Sequence, residues 1–156
     1  MKRRLYFLLM ICGLLLTAMP GHAQFGGGPK VKWTMTVELQ PDGYGVATLK
    51  AVPVKGWHLY GTDLPDGGPK PTTIDFGESV GVVAEGELIP SVEPTSVEDP
   101  MFEMTINWWE RPVSFTQRFK ITDCDNAKVM ASITFMACND VTCTPPSTVK
   151  LTQSFK

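Results

Sequence analysis

The stretch "VKWTMTVEL", Val31–Leu39, places Val31, Trp33, Met35, Val37 and Leu39 in strict alternation with Lys32, Thr34, Thr36 and Glu38. Successive side chains of a β-strand point to opposite faces, so this period of two predicts a strand with one face buried. "PDGYG", Pro41–Gly45, then reads as a turn. Val46–Val54 and "GWHLYG", Gly56–Gly61, read as two further strands, or one interrupted at Pro53.

The same pattern returns along the chain. "TDLPDGGPKPTT", Thr62–Thr73, is a loop dense in proline and glycine, followed by short strands at Thr73–Phe76 and Val80–Ala84. "IPSVEPTSVEDP", Ile89–Pro100, carries Pro90, Pro94 and Pro100 and reads as another loop. Met101–Trp109 alternates with large residues on both sides, as a strand covered in part on each face does. Val113, Phe115, Phe119 and Ile121 alternate with Ser114, Thr116, Arg118 and Lys120. Val129, Ala131, Ile133 and Phe135 precede the last strand, with Val149, Leu151 and Phe155. No segment carries a convincing 3.6-residue period. About eight or nine short, turn-separated strands predict an antiparallel β-sandwich of immunoglobulin-like type, a small barrel being the alternative. Trp33, Trp57, Trp108 and Trp109 are assigned to the core.

The amino terminus has a different character. Lys2, Arg3 and Arg4 precede an apolar run, Leu5–Leu16, and "PGHA" places small residues Gly21 and Ala23 at the minus-three and minus-one positions. Residues 1–23 therefore read as a signal peptide cleaved after Ala23, and the apolar run is well short of the roughly 20 residues a membrane span needs. Cys12 belongs to that segment. Residues 24–29 form a glycine-rich leader and 30–156 one domain, exported to the periplasm or secreted, with no membrane span in the mature chain. Losing three bases from 14 leaves 11 against 16 acids, a mature charge of about −5. With no basic patch interleaved with aromatics, nucleic acid is excluded as a partner.

Three cysteines remain: Cys124, Cys138 and Cys143. Cys138 and Cys143 bracket a short hairpin loop, where facing Cα atoms lie about 5.5 Å apart, within reach of a disulfide. Cys124 lies at the far end of a ten-residue strand, roughly 30 Å away. A structural staple stabilises by restricting the unfolded chain, and a loop this short restricts little, contributing less than the roughly 3 kcal/mol of a 15-residue loop. The spacing favours a redox couple over a staple. A zinc centre is poorly supported, because His58 is the only histidine of the mature chain and no second cysteine pair exists. A nucleophilic hydrolase lacks any local signature.

The segment "FMACNDVTCTPPSTVKL", Phe135–Leu151, resembles the active-site segment of the amino-terminal periplasmic domain of the thiol:disulfide interchange protein DsbD, where a cysteine pair is followed by one residue and a double proline. "GWHLYGTDLPDGGPKPTTIDF" and "EDPMFEMTINWWERPVSFTQRFKI" are similar to that family's aromatic strand and to its cap loop with paired strands. The resemblance implies an immunoglobulin-like sandwich whose pair, Cys138 and Cys143, cycles between dithiol and disulfide, with Cys143 forming the mixed disulfide. It implies a thioredoxin-like electron donor, oxidised periplasmic client proteins, and no cofactor. It also implies a cap over the sulfurs at "EDPMF", from Asp99 through Met101 and Phe102. Tyr60, His58, Asp140 and Pro145 are expected near the pair. His58 reads as a strand histidine facing solvent, which lowers a thiol pKa only when protonated and close. Asp140, an acid inside the loop, raises it. A copy without transmembrane or thioredoxin-like domains is expected to take electrons from a separate protein. The competing reading is an envelope binding module in which the same bond is structural.

Overall fold

The alternation of Val31–Leu39 is realised as β1 (Val31–Leu39), paired antiparallel with β2 (Tyr44–Pro53) in a register that sets Val31 opposite Pro53 and Leu39 opposite Gly45. The turn between them is closed by Asp42, whose carboxylate accepts the Tyr44 N–H at 3.1 Å, and by Gly43 at φ +80°. This computed structural model describes residues 28–100 and 102–155. The signal-peptide reading of 1–23, most of the leader, and Met101 lie outside them.

The remaining strands are β3 (His58–Tyr60), β4 (Thr73–Asp75), β5 (Val82–Pro90), β6 (Thr95–Asp99), β7 (Met104–Trp109), β8 (Val113–Ile121), β9 (Lys128–Phe135), β10 (Ala137–Cys138) and β11 (Ser147–Ser154). They form sheets of order β1-β2-β8-β5, β10-β3-β7-β6 and β11-β9-β4, every pairing antiparallel. Among the described residues there is no helix, so none is long and apolar enough to cross a membrane. The second and third sheets share one chain path, because β9 runs into β10 with a break at Met136. The result is the expected immunoglobulin-like β-sandwich.

The core lies between the first sheet and the other two. Trp33, Leu49, Phe115 and Phe119 come from one side, and Leu59, Trp109, Val129, Ile133 and Phe135 from the other. Trp33 meets Phe115 and Phe135 at 5.9 and 5.7 Å between ring centroids, and Trp109 stands edge-on to Phe115 at 5.2 Å. Non-directional burial of these rings holds the layers together.

Two segments depart from the sequence-based reading. Ile89–Pro100 is not a loop throughout: β5 continues to Pro90, and Thr95–Asp99 is β6, an edge strand paired with β7 alone. Its prolines bracket the strand instead of interrupting it, and an edge strand needs only half its N–H groups. The strand expected from Met101 begins at Met104, because Phe102 and Glu103 lie in the turn that precedes it. Glu103 closes that turn at φ +53°, a left-handed conformation uncommon for a residue with a side chain. The tryptophans also divide: Trp33 and Trp109 are buried, while Trp57 and Trp108 are half-buried.

Candidate functional site

Cys138 and Cys143 form a disulfide across the β10 hairpin, with Cα atoms 4.0 Å apart. They sit closer than the hairpin estimate, and the register explains why. Asn139 N–H donates to Thr142 O at 2.9 Å and Thr144 N–H to Ala137 O at 2.8 Å, so the cysteines are a non-hydrogen-bonded antiparallel pair. Such pairs approach to about 4.5 Å.

The intervening loop is organised by its own polar groups. Asn139 Oδ1 accepts the N–H of Val141 at 3.0 Å and of Thr142 at 2.8 Å, an Asx turn that folds the loop back. Thr144 Oγ1 accepts the Ala137 N–H at 3.2 Å. Cys138 is 2% exposed, whereas Cys143 is half-buried and Val141, at the tip, is 84% exposed.

Beneath the pair lies a second apolar cluster, separate from the main core. Tyr60, Ile106 and Cys138 are its buried members, with Phe102, Trp108 and Cys143 packed against them. β3 supplies its floor. Its position between β10 and β7 puts His58 opposite Cys138 and Tyr60 opposite Trp108. All of His58, Leu59 and Tyr60 are buried: Leu59 joins the main core while Tyr60 joins the second cluster.

The expectation that His58 faces solvent is therefore corrected. The ring is 8% exposed, stacked on Trp108 at 3.9 Å and 21°, and set edge-on to Tyr60 at 5.2 Å. Burial pulls its pKa below the ordinary 6.5, against the opposing pull of Glu110, Asp99 and Asp140. An imidazole held neutral in this way does not act as a standing positive charge beside the sulfurs.

Tyr60 is pushed up to about 12, first by burial and then by the negative charge of Asp99. Asp99 is itself buried, at the end of β6, and its Oδ1 accepts the Phe102 N–H at 3.2 Å, which shapes the turn. That turn carries Phe102 to within 6.4 Å of the Tyr60 ring, edge to face.

A cleft of about 170 Å³ opens beside the pair, lined by His58, Tyr60, Asp99, Trp108, Cys138 and Asp140, among others. The structure thus brings together Cys138, Cys143, His58, Tyr60, Asp99, Phe102 and Asp140. Pro145 is exposed and does not line the cleft. Cys124 is exposed, in the turn between β8 and β9. Trp108, a core residue by its sequence pattern, packs against the second cluster and lines the cleft instead. The adjacent pair Trp108–Trp109 in one strand carried the signal, because neighbours in a strand face opposite ways.

Among the described residues no group of histidines, cysteines and acids could hold a metal ion. What the arrangement offers chemically is a two-electron couple, with one sulfur buried and the other near the surface.

Fold and site together define a class: immunoglobulin-like sandwiches that carry a cysteine pair on an edge hairpin, under an aromatic turn. The profile described as "Thiol:disulfide interchange protein DsbD, N-terminal" matches residues 29–154, and the chain belongs to that family. Among solved structures, the N-terminal periplasmic domain of ScsB from Proteus mirabilis is similar at TM-score 0.60 and 18% identity, over 81% of this chain and 47% of that one. The chain thus spans about half the length of that relative. The Neisseria meningitidis DsbD n-terminal domain in the reduced form matches at TM-score 0.49 and 14% identity, over 69% of this chain and 75% of that one. The Neisseria meningitidis complex between the DsbD N-terminal and PilB N-terminal domains matches at TM-score 0.48 and 11% identity, over 77% and 80%. No curated protein matches.

Proposed function

We propose that this chain is an exported thiol–disulfide relay, passing two electrons through Cys138 and Cys143 to oxidised envelope proteins. The observation that carries the reading is the asymmetry of the pair, Cys143 half-buried and Cys138, which lines the cleft, only 2% exposed. Family membership supports it.

A thiolate of a reduced, thioredoxin-like donor attacks the more accessible Cys143 sulfur, breaks the Cys138–Cys143 bond and forms a mixed disulfide. The donor's second thiolate then attacks its own sulfur, leaving this chain as the dithiol. In the forward half, the Cys143 thiolate attacks a client disulfide, and Cys138 attacks Cys143 to release the client as a dithiol. In this reading Asp99, Phe102 and the neighbouring Met101 form the cap that shields the sulfurs until a partner moves it. Residues 1–23 are the export signal.

The reduction potential of the pair tests this, measured in glutathione or dithiothreitol buffers with Cys124→Ser to silence the remaining thiol. A value of roughly −180 to −270 mV, where disulfide carriers operate, is expected. A value below about −300 mV would make the bond structural and end the relay reading.

A further inference from the structure

The cleft contains a group for which the exchange scheme has no use. His58 is 8% exposed, stacked on the Trp108 ring and set at a steep angle to the neighbouring Tyr60 ring, and its Nε2 is buried with no hydrogen-bond partner. Leaving a buried polar atom unpaired costs free energy, so its presence in the cleft that Cys138 also lines calls for a role. Its cross-strand partner is Cys138. Residues directly opposite in an antiparallel pair project from the same face of the sheet with Cβ atoms about 4.5–5.5 Å apart, and both of these line the cleft.

We propose that His58 takes the proton from the Cys138 thiol when that residue resolves the mixed disulfide, and returns it when Cys138 becomes the leaving group. The inference rests on the relay reading. In the forward direction Cys143 is already bonded to the client sulfur. Cys138 loses its proton to His58 Nε2, and its sulfur attacks Cys143. The client sulfur departs with the bonding pair and takes a proton from the imidazolium or from water. The client disulfide has gained two electrons and the Cys138–Cys143 pair has lost two. Cys138 is 2% exposed at the inner wall of the cleft, so a fixed acceptor on the facing strand answers a need that the half-buried Cys143 does not have.

The surroundings fit a base that is neutral at rest. Burial keeps the imidazole uncharged, while Asp99 from β6, Glu110 after β7 and Asp140 from the cysteine loop favour the imidazolium once it forms. Tyr60, on the same strand, stays protonated well past neutral pH and so adds no charge. Stacking on Trp108 fixes the ring plane, so the acceptor nitrogen is held in place before the reaction.

The test uses the reduced mature domain carrying Cys124→Ser, mixed with oxidised glutathione and acid-quenched. Mass spectrometry then follows the lifetime of the Cys143–glutathione mixed disulfide. His58→Phe, which preserves an aromatic ring against Trp108, should lengthen that lifetime about a hundredfold at pH 7, the lower range for loss of a general base. The parent's resolution rate should rise with pH through an inflection below 6.5 as the imidazole loses its proton, and the variant should lack that inflection. If His58→Phe does not retain the parent's near-ultraviolet circular dichroism, His58→Gln is read in its place. An unchanged lifetime with an unchanged pH profile overturns the role of His58 and leaves the relay standing. Failure of the parent itself to form and resolve the mixed disulfide overturns both.

Discussion

Gly61 and Asn107 meet so closely that a Cβ on Gly61 would lie 1.5 Å from Asn107 Oδ1 and 3.2 Å from its backbone oxygen. The approach is held from both sides: Gly61 N–H donates to Asn107 O at 2.8 Å, and Asn107 Nδ2 donates to Asp63 O at 2.9 Å. Gly61 C=O in turn accepts the Thr72 N–H at 2.9 Å. Because Gly61 directly follows Tyr60, this contact fixes the end of β3 and the floor of the site. Gly61→Ala is expected to destabilise the domain by about 1–3 kcal/mol, the usual cost of overpacking, lowering Tm by a few degrees per kcal/mol. Thermal unfolding checks this, and adding Asn107→Ala should recover part of the loss. Equal Tm values for parent and Gly61→Ala would mean that the Asn107 side chain swings away at no cost.

The sandwich was legible because its long strands obey a period of two. Val31–Leu39, Val113–Ile121 and Lys128–Phe135 each bury one face, so their burial follows the apolar alternation. β3 gave no such signal: His58, Leu59 and Tyr60 are buried on both faces, one under the main core and the other under the β6–β7 turn. A histidine in a three-residue strand looks solvent-facing until the element that covers it is known, and that cover comes from a segment some 40 residues later. β6 was hidden for a related reason, its prolines marking its limits rather than its absence. The cysteine pair was readable because its spacing is local; the Trp108 ring stacked on His58 was not, because it depends on register between β3 and β7.

Phe102 is half-buried, packed with Cys143 in the second cluster and edge-on to Tyr60 at 6.4 Å. If its ring hinders approach to the sulfurs, removing it lowers the barrier to reduction. Phe102→Ala should speed reduction of the Cys138–Cys143 bond by dithiothreitol, by about tenfold for each 1.4 kcal/mol of barrier that the ring contributes. Phe102→Leu, which keeps most of the apolar bulk, should stay near the parent rate. Stopped-flow reduction followed by thiol alkylation and mass spectrometry measures both. Equal rates for parent and Phe102→Ala would reduce Phe102 to an ordinary packing residue.

The raised pKa of Tyr60 makes a pH prediction with a definite sign. Its folded value of about 12 lies above the 10.0 of a free phenol, so the folded chain holds this proton more tightly than the unfolded chain. The stabilisation is complete below pH 10.0 and is lost as pH rises toward 12. Alkaline difference absorbance should show Tyr60 ionising later than a free phenol. Tyr60→Phe should flatten the decline of urea-unfolding stability across that window. A parent whose tyrosines all titrate near 10 would contradict the burial of Tyr60 beside Asp99.

The unequal exposure of the two sulfurs predicts unequal chemistry once they are separated. On a Cys124→Ser background, Cys138→Ser leaves the half-buried Cys143, and Cys143→Ser leaves Cys138 at 2% exposure. Labelling Cys138 requires the hairpin or its cover to open locally. Each 1.4 kcal/mol of opening slows the reaction about tenfold, so iodoacetamide should modify Cys138 about ten- to a hundredfold more slowly than Cys143. The Cys138→Ser variant should also be the one that accumulates stable mixed disulfides with a disulfide-bonded client, because the sulfur that would resolve them is gone. Comparable labelling rates, or trapping by Cys143→Ser instead, would reverse the assignment and make Cys138 the sulfur that meets the partner.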